Sequence, residues 1–329
     1  MILKVNKKKI KLKINKKTTP FALFENLSNE HKVVFLIDEI FLNLLKKDNI
    51  IALKGGEEIK TLNKYIDIID YLQELNLERN DYLIAVGGGT ITDLGGFVAS
   101  TFKRGLNFIS VPTTTLAMID AGIGGKNGLN NGVKNVLGTF YQPQEIYLDY
   151  NLLKSLPENI YYDGFVEALK MTLLTDNQDL SLYNDVRTHE REIIETAIFS
   201  KMKYVEEDEF DNKGKRIELN FGHTLGHAIE AYCLHHNLPI SHGQAVATGM
   251  HFMIRDLLLR DKVRDIINNR FKISYFTDFV LDDLKQYLVN DKKKENNLLQ
   301  LVFLDGIKDV KIEKLSVNDF IEYLKGIKI

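Results

Sequence analysis

Two histidines four residues apart, His223 and His227, stand in Asn220-Phe221-Gly222-His223-Thr224-Leu225-Gly226-His227. On a helix that spacing puts both imidazoles on one face, where they can share a metal ion. The glutamate of the HExxH zinc-protease pattern is missing, so this is not that motif. A third histidine, His242, follows in Ser241-His242-Gly243, and an acid, Glu167, lies in an earlier helical stretch, Gly164 to Lys170. Catalytic zinc commonly takes three protein ligands and keeps one position open. Histidine pairs at helical spacing also arise as ordinary polar residues, and spacing alone leaves both readings standing.

A second constellation is the glycine run Gly87-Gly88-Gly89 with Thr90 to Thr101 behind it. It follows the apolar stretch Tyr82 to Val86 and reads as a strand turning into a helix. Bare backbone admits a phosphate closely, and a helix start offers free N–H groups and a positive dipole end. The dinucleotide fingerprint is incomplete, since Thr92 stands where the third glycine belongs. Asp93, one turn into the helix, either accepts a hydrogen bond from a ribose or nicotinamide group or serves as an N-terminal helix charge. A third constellation, Asp120-Ala121-Gly122-Ile123-Gly124-Gly125-Lys126-Asn127, follows Pro112-Thr113-Thr114. Its slim backbone beside Lys126 fits a phosphate or carboxylate held by a point charge. An ordinary surface turn is the competing reading. Lys134-Asn135 comes soon after. The run Lys292-Lys293-Lys294 is a solvated loop, a phosphate site, or both.

The elements that must position these groups are legible as patterns. Val33 to Ile37, Ile51 to Leu53, Tyr82 to Val86, Phe108 to Val111 and Ile146 to Leu148 are short apolar runs. Helical spacing lies between some of them, as in Leu62, Ile66, Ile69 and Leu72. Apolar strands alternating with amphipathic helices predict a parallel sheet covered on both faces. Ligands of such sheets bind at the carboxyl ends of the strands, where the glycine run falls. Lys9 to Ile14 alternates with period two and predicts a strand with one buried face, its lysines discouraging edge pairing. From about Asn151 helical periodicity dominates, over Gly164 to Leu174, His189 to Glu207 and Val246 to Leu259. The division therefore falls near Asp149 to Leu156, giving 1–150, an α/β domain, and 151–329, an all-helical domain.

The 329 residues suffice for two cores, and a formal net charge of −2 argues against a nucleic-acid binder that works by charge. The lone Cys233 allows no intrachain disulfide and suits a reducing compartment, so a cytoplasmic location is expected. No apolar run reaches membrane-spanning length, and no apolar signal-peptide core follows the first lysines.

In order along the chain, these motifs resemble the 3-dehydroquinate synthase family of the sugar phosphate cyclases. The likeness runs from about Asp38 to Gly306. It is carried by Gly56-Glu57-Glu58-Ile59-Lys60, GGGTITDLGGFVAST, Lys103-Arg104-Gly105, PTTTLAMIDAGIGGKN, Lys134-Asn135, FYQP at Phe140 to Pro143, GFVEALK, LNFGHTLGHAIE, SHGQAVATGM and Asp291-Lys292-Lys293. The resemblance implies an α/β domain and a helical domain with the active site between them. It implies NAD on Asp38, Glu57, Lys60, Gly88, Gly89, Asp93, Thr113 and Thr114. It implies zinc, with cobalt or manganese as alternatives, on Glu167, His223 and His242. Substrate contacts come by resemblance from Asp120, Lys126, Lys134, Asn135, Lys170, Lys201, Arg216, Asn220, His227 and Lys293. Arg104 resembles the arginine that family homodimers lend to the neighbouring subunit's site. The implied reaction converts 3-deoxy-D-arabino-heptulosonate 7-phosphate to 3-dehydroquinate and phosphate, with NAD oxidising a hydroxyl transiently and then returning the hydride.

The chain departs from the family pattern in places. Gln244 follows His242-Gly243 where Glu is usual, which predicts a lost charge beside the metal. Gln300 stands for an arginine, and Asn127-Gly128 for Thr-Ala. One residue is missing between Asn130 and Lys134, and one is extra between Asp211 and Gly214. The competing functions are another cyclase, such as a 2-deoxy-scyllo-inosose synthase, a metal-dependent polyol dehydrogenase, and a binding protein that kept the fold.

Overall fold

The structure, a computed structural model, describes residues 1–5, 8–14, 27–45, 48–175, 179–289 and 298–328. Lys293 lies outside the described residues. Contacts divide the chain into two compact units, Met1–Pro157 with Lys201–Phe210, and Glu158–Ser200 with Asp211–Ile329.

In the first unit, β1 (Ile2–Val5), β2 (Lys8–Ile14), β3 (Val33–Asp38), β4 (Ile50–Leu53), β5 (Tyr82–Gly87) and β6 (Asn107–Pro112) are strands. The hairpin β7 (Lys126–Asn131) and β8 (Val133–Phe140) stands apart, and β9 (Glu145–Leu148) returns to the main sheet. The seven-stranded sheet has the order β1-β2-β9-β6-β5-β3-β4. All of its pairings are parallel except β1 with β2. Strand residues alternate between two apolar cores. Val34, Leu36, Leu83 and Ala85 join one with Leu94 and Val98, and Val33, Phe35, Ile37, Ile84 and Val86 join the other. Each fully buried Val, Leu or Ile contributes about 1.5–3 kcal/mol relative to exposure, which is why both faces must be covered.

The chain runs outward from β3 to β4, then crosses to the other side of β3 to lay down β5 and β6. The switch point therefore falls between β3 and β5, the place where open parallel sheets bind ligands. Helix α1 (Leu62–Glu74) begins at Thr61, whose hydroxyl accepts from the Lys64 N–H, and α2 (Gly89–Thr101) begins straight after β5. The spacing of Leu62, Ile66, Ile69 and Leu72 forms α1 as expected, with Leu72 buried beside Ile68 and Ile69 packed against the core, while Leu62 and Ile66 are exposed. One expectation is corrected. The lysine-rich strand β2 is interior, because β1 pairs beyond it and forms the edge. Its one-sided burial, through Ile10 and Leu12, follows the period-two pattern.

The second unit contains α3 (Glu158–Leu174), α4 (Val186–Glu207), α5 (His223–His236), α6 (His242–Met253), α7 (Leu257–Asp265), α8 (Lys285–Val289) and α9 (Val317–Lys325). The part of α4 from Lys201 belongs to the first unit. Among its described residues the second unit is helical apart from one antiparallel hairpin, β10 (Leu298–Gly306) with β11 (Asp309–Ser316), where an all-helical domain was expected. The helical stretch read as continuous over Val246 to Leu259 is two helices. The chain breaks at Ile254, which bridges to Leu304, and restarts where Asp256 accepts the Leu259 N–H.

Helices α5 and α6 meet backbone to backbone. A Cβ added to Gly249 on α6 would run into the Gly222 carbonyl, and Gly222 itself has φ 75°, open to glycine at little cost. This approach brings together the two helices that begin with His223 and His242.

Candidate functional site

The second unit gathers Glu167, His223 and His242, one potential ligand atom from each lying within 4.8 Å of the others. Three elements supply them: the middle of α3 and the first residues of α5 and α6. Glu167 is fully buried, and its Oε1 lies 3.3 Å from His223 Nε2 and 3.6 Å from His242 Nε2. Among the described residues, neither carboxylate oxygen receives a hydrogen bond of good geometry. Two imidazole nitrogens and a buried carboxylate oxygen facing one point form a donor set that fits a divalent transition metal. His227, one turn along α5, stacks edge-on to His223 with ring centroids 5.3 Å apart and is exposed. It is not one of the clustered donors.

The surroundings set the charge of the cluster. Lys170, one turn beyond Glu167 on α3, places its ammonium 2.5 Å from Glu167 Oε2 and donates to the Leu219 carbonyl at 2.9 Å. Burial opposes ionisation of Glu167, but Lys170 and His223 outweigh it and hold the carboxyl well below its ordinary value. Burial, reinforced by Lys170, lowers the His223 imidazole, with Glu167 opposing. Burial also works against protonation of His242, yet the Glu167 carboxylate facing its Nε2 and the Glu230 carboxylate at its Nδ1 push it up to about 10. Nearby, Asp163 on α3 accepts from the Ser241 hydroxyl and from the Gly243 N–H. A Cβ on Gly243 would collide with Asp163, so the His242-Gly243 pair depends on this close seat. Gln244 points elsewhere, donating to the Ser274 carbonyl at 2.9 Å. Arg216 is buried and Asn220 half-buried in the short turn Lys215–Asn220.

In the first unit, the candidate cofactor residues collect at the carboxyl ends of β3, β4, β5 and β6. Asp38 ends β3, and a Cβ on Gly55, just beyond β4, would lie 2.6 Å from its Oδ2. Gly88 and Gly89 start α2. Thr113 donates its N–H to Gly87 at 2.9 Å, and Thr114 packs beside Gly88. Lys60, only 2% exposed, donates to Asp93 at 2.7 Å and to Asn135 at 2.5 Å, with Glu57 at 3.8 Å. Asn130 donates to Glu57 at 2.9 Å and accepts the Asn135 N–H at 2.8 Å. Burial raises Asp93 to about 6 despite the opposing Lys60. Its side chain keeps 18% exposure, so the carboxyl is reachable from solvent.

Lys201 donates to the Asp120 carboxylate at 2.7 Å and to its carbonyl at 2.6 Å. Lys126 and Lys134 are exposed on the β7–β8 hairpin. The missing residue between Asn130 and Lys134 falls at that hairpin's turn, where Gly132 has φ 69°. Arg104 is exposed in the turn after α2, with φ 66°.

Three contributors escaped the sequence reading: Glu230, Asp163 and Asn130. Glu230 lies seven residues after His223 on the same helix, and Asp163 four before Glu167. Helical spacing from the suspected ligands was thus the available signal. Asn130 had none, because its role depends on the hairpin's register.

A model of the 3-dehydroquinate synthase N-terminal domain matches residues 50–163, and one of the C-terminal domain matches 164–294. A 3-dehydroquinate synthase of Picrophilus torridus is 38% identical over 291 residues, 84% of each chain. One of Sulfolobus acidocaldarius is 37% identical over 322 residues, 90% of this chain and 89% of that protein. Among solved structures, a 2-deoxy-scyllo-inosose synthase complexed with carbaglucose-6-phosphate, NAD+ and Co2+ matches with a TM-score of 0.83 and 21% identity over 99% of both chains. The 2-epi-5-epi-valiolone synthase of Streptomyces hygroscopicus, with NAD+ and Zn2+ bound, matches at 0.81 and 20% identity over 96% of this chain and 95% of that one. At those identities the structures speak for the fold. The sequence matches reach further, and by them the chain belongs to the 3-dehydroquinate synthase family.

Proposed function

We propose that this chain is a 3-dehydroquinate synthase, converting 3-deoxy-D-arabino-heptulosonate 7-phosphate to 3-dehydroquinate and phosphate. The observation that carries the reading is the Glu167, His223 and His242 donor cluster in a chain of this family. Glu167, His223 and His242 hold a divalent cation, zinc by preference for this donor set. Asp38, Glu57, Lys60, Gly88, Gly89, Asp93, Thr113 and Thr114 hold NAD. When bound, the cation supplies Lewis acidity at a substrate hydroxyl and NAD supplies a reversible hydride acceptor.

The protein's own groups bind and orient. In the first unit, Lys126, Lys134 and Asn135 offer charge and hydrogen bonds to substrate anions, and the Lys201 ammonium is fixed on Asp120. In the second unit, Arg216, Asn220 and Lys293 have the same task, and Lys170 keeps Glu167 ionised. His227, exposed beside His223, is an imidazole suited to carry a proton or meet a phosphate oxygen. Holding a flexible intermediate in one conformation directs its aldol closure to one stereoisomer. Arg104, exposed in its turn, suits a residue that reaches a partner subunit's site in a homodimer. A cytoplasmic location accords with the single buried cysteine.

The test is phosphate release from the heptulosonate phosphate with NAD, with and without chelator. Chelator-sensitive release without net NADH is expected. Release from a hexose 6-phosphate instead would favour a 2-deoxy-scyllo-inosose synthase, and steady NADH from a polyol would favour a dehydrogenase.

Asp93 gives this reading a pH dependence. Its carboxyl, raised to about 6, is mostly ionised at pH 7 and mostly protonated at pH 5. If the carboxylate accepts a hydrogen bond from the cofactor, NAD affinity falls as pH drops through that value, by roughly tenfold between pH 7 and pH 5. Calorimetric titration of NAD at both values checks it, and Asp93→Asn is expected to bind weakly and without the pH dependence.

A further inference from the structure

Both candidate metal histidines present Nε2 to Glu167 and have Nδ1 engaged, but by different partners. His223 Nδ1 lies 3.1 Å from the Phe221 carbonyl, a neutral acceptor two residues back in the chain. His242 Nδ1 lies 3.3 Å from Glu230 Oε1, a carboxylate on another helix. The His242 ring is therefore held between Glu230 of α5 on one side and Glu167 of α3 on the other, with Nε2 3.6 Å from the latter. The residue next in line for such a role from the sequence, Gln244, is tied to the Ser274 carbonyl.

We propose that Glu230 is the positioning residue of the metal site: its carboxylate accepts a hydrogen bond from the Nδ1–H of His242, which fixes the tautomer whose Nε2 lone pair faces the cation and supplies the negative charge that Gln244 does not. The proposal rests on the reading of Glu167, His223 and His242 as metal ligands. A carboxylate behind a ligating imidazole increases its donor strength and locks its orientation. The backbone carbonyl behind His223 provides orientation without a charge, so the two imidazoles are unequal donors. Glu230 is three residues beyond His227 and seven beyond His223. Helix α5 thus carries a ligand, the exposed imidazole and the orienting carboxylate in successive turns.

The experiment uses the full-length protein, stripped with chelator and titrated with Co2+. Binding is read from the visible absorption of the bound ion and from competition with a chromophoric chelator. Glu230→Ala is expected to weaken Co2+ binding about 10- to 100-fold and to shift the absorption band. Glu230→Gln, which keeps an acceptor oxygen but no charge, is expected to lose about three- to tenfold. Gln244→Ala is expected to stay within about twofold of the parent protein, a change too small to affect ligand orientation. If Glu230→Ala fails to fold, Glu230→Gln decides the matter alone. Parental affinity and spectrum in the Glu230 variants, or an equal loss in Gln244→Ala, overturns the proposal. Failure of the parent protein to bind Co2+ at all overturns the ligand assignment beneath it, and the proposal with it.

Discussion

His223→Ala is expected to abolish turnover and bound metal together. The imidazole is one of the donors whose ligand atoms lie within 4.8 Å of one another, and its Nδ1 is anchored on the Phe221 carbonyl. Without it, Glu167 and His242 remain, fewer than the three protein ligands that catalytic zinc commonly takes. A cation stabilising a developing alkoxide contributes several kcal/mol, so its loss slows phosphate release by about a thousandfold or more. The side chain is 12% exposed, and its removal opens a small space at the helix start without disturbing the α5–α6 contact, which runs through Gly222 and Gly249. Metal content by elemental analysis, phosphate release, and far-ultraviolet circular dichroism on one preparation separate site loss from unfolding. Full activity with metal retained would refute the ligand assignment.

The parts of this molecule that were legible in the sequence are those set by short-range pattern. Val33 to Ile37 and Tyr82 to Val86 are apolar at every position because both faces of a parallel strand are buried, and they form β3 and β5. The glycine run could be placed at a strand end because its neighbours change from strand to helix there. What the pattern hid was set by tertiary contact. Leu62, Ile66, Ile69 and Leu72 have helical spacing, yet α1 leaves Leu62 and Ile66 exposed and buries Ile68 with Leu72, since a helix with apolar residues on adjacent faces does not encode which face meets the sheet. The break at Ile254 arises from its bridge to Leu304, fifty residues away, and no local breaker residue marks it. Gln244 was expected to remove a charge from beside the metal. The structure instead puts the carboxylate of Glu230 against His242 and turns Gln244 toward Ser274. That placement of Glu230 against His242 is invisible until α5 and α6 are packed together.

Glu167→Leu tests whether the cluster is held for chemistry or for stability. Glu167 and Lys170 are 0% and 2% exposed, with Nζ and Oε2 2.5 Å apart. Removing the carboxylate leaves the Lys170 ammonium buried, still donating to the Leu219 carbonyl at 2.9 Å. Breaking a buried pair on one side costs about 3–5 kcal/mol, because the surviving charge keeps its desolvation penalty and loses its partner. Replacing both members with apolar residues of similar volume is often neutral, so Lys170→Met added to Glu167→Leu is expected to recover most of that loss. Urea denaturation with chelator present measures this without the extra stability that a bound cation would lend the parent protein. Phosphate release behaves differently. It stays abolished in the single and double variants alike, because neither restores an oxygen donor beside His223 and His242. Recovery of stability without recovery of turnover would mean that the ion pair is kept against its desolvation cost because the site needs an ionised carboxylate there. If the double variant stays as unstable as the single one, the pair is structural in its own right, and Lys170 does more than keep Glu167 charged.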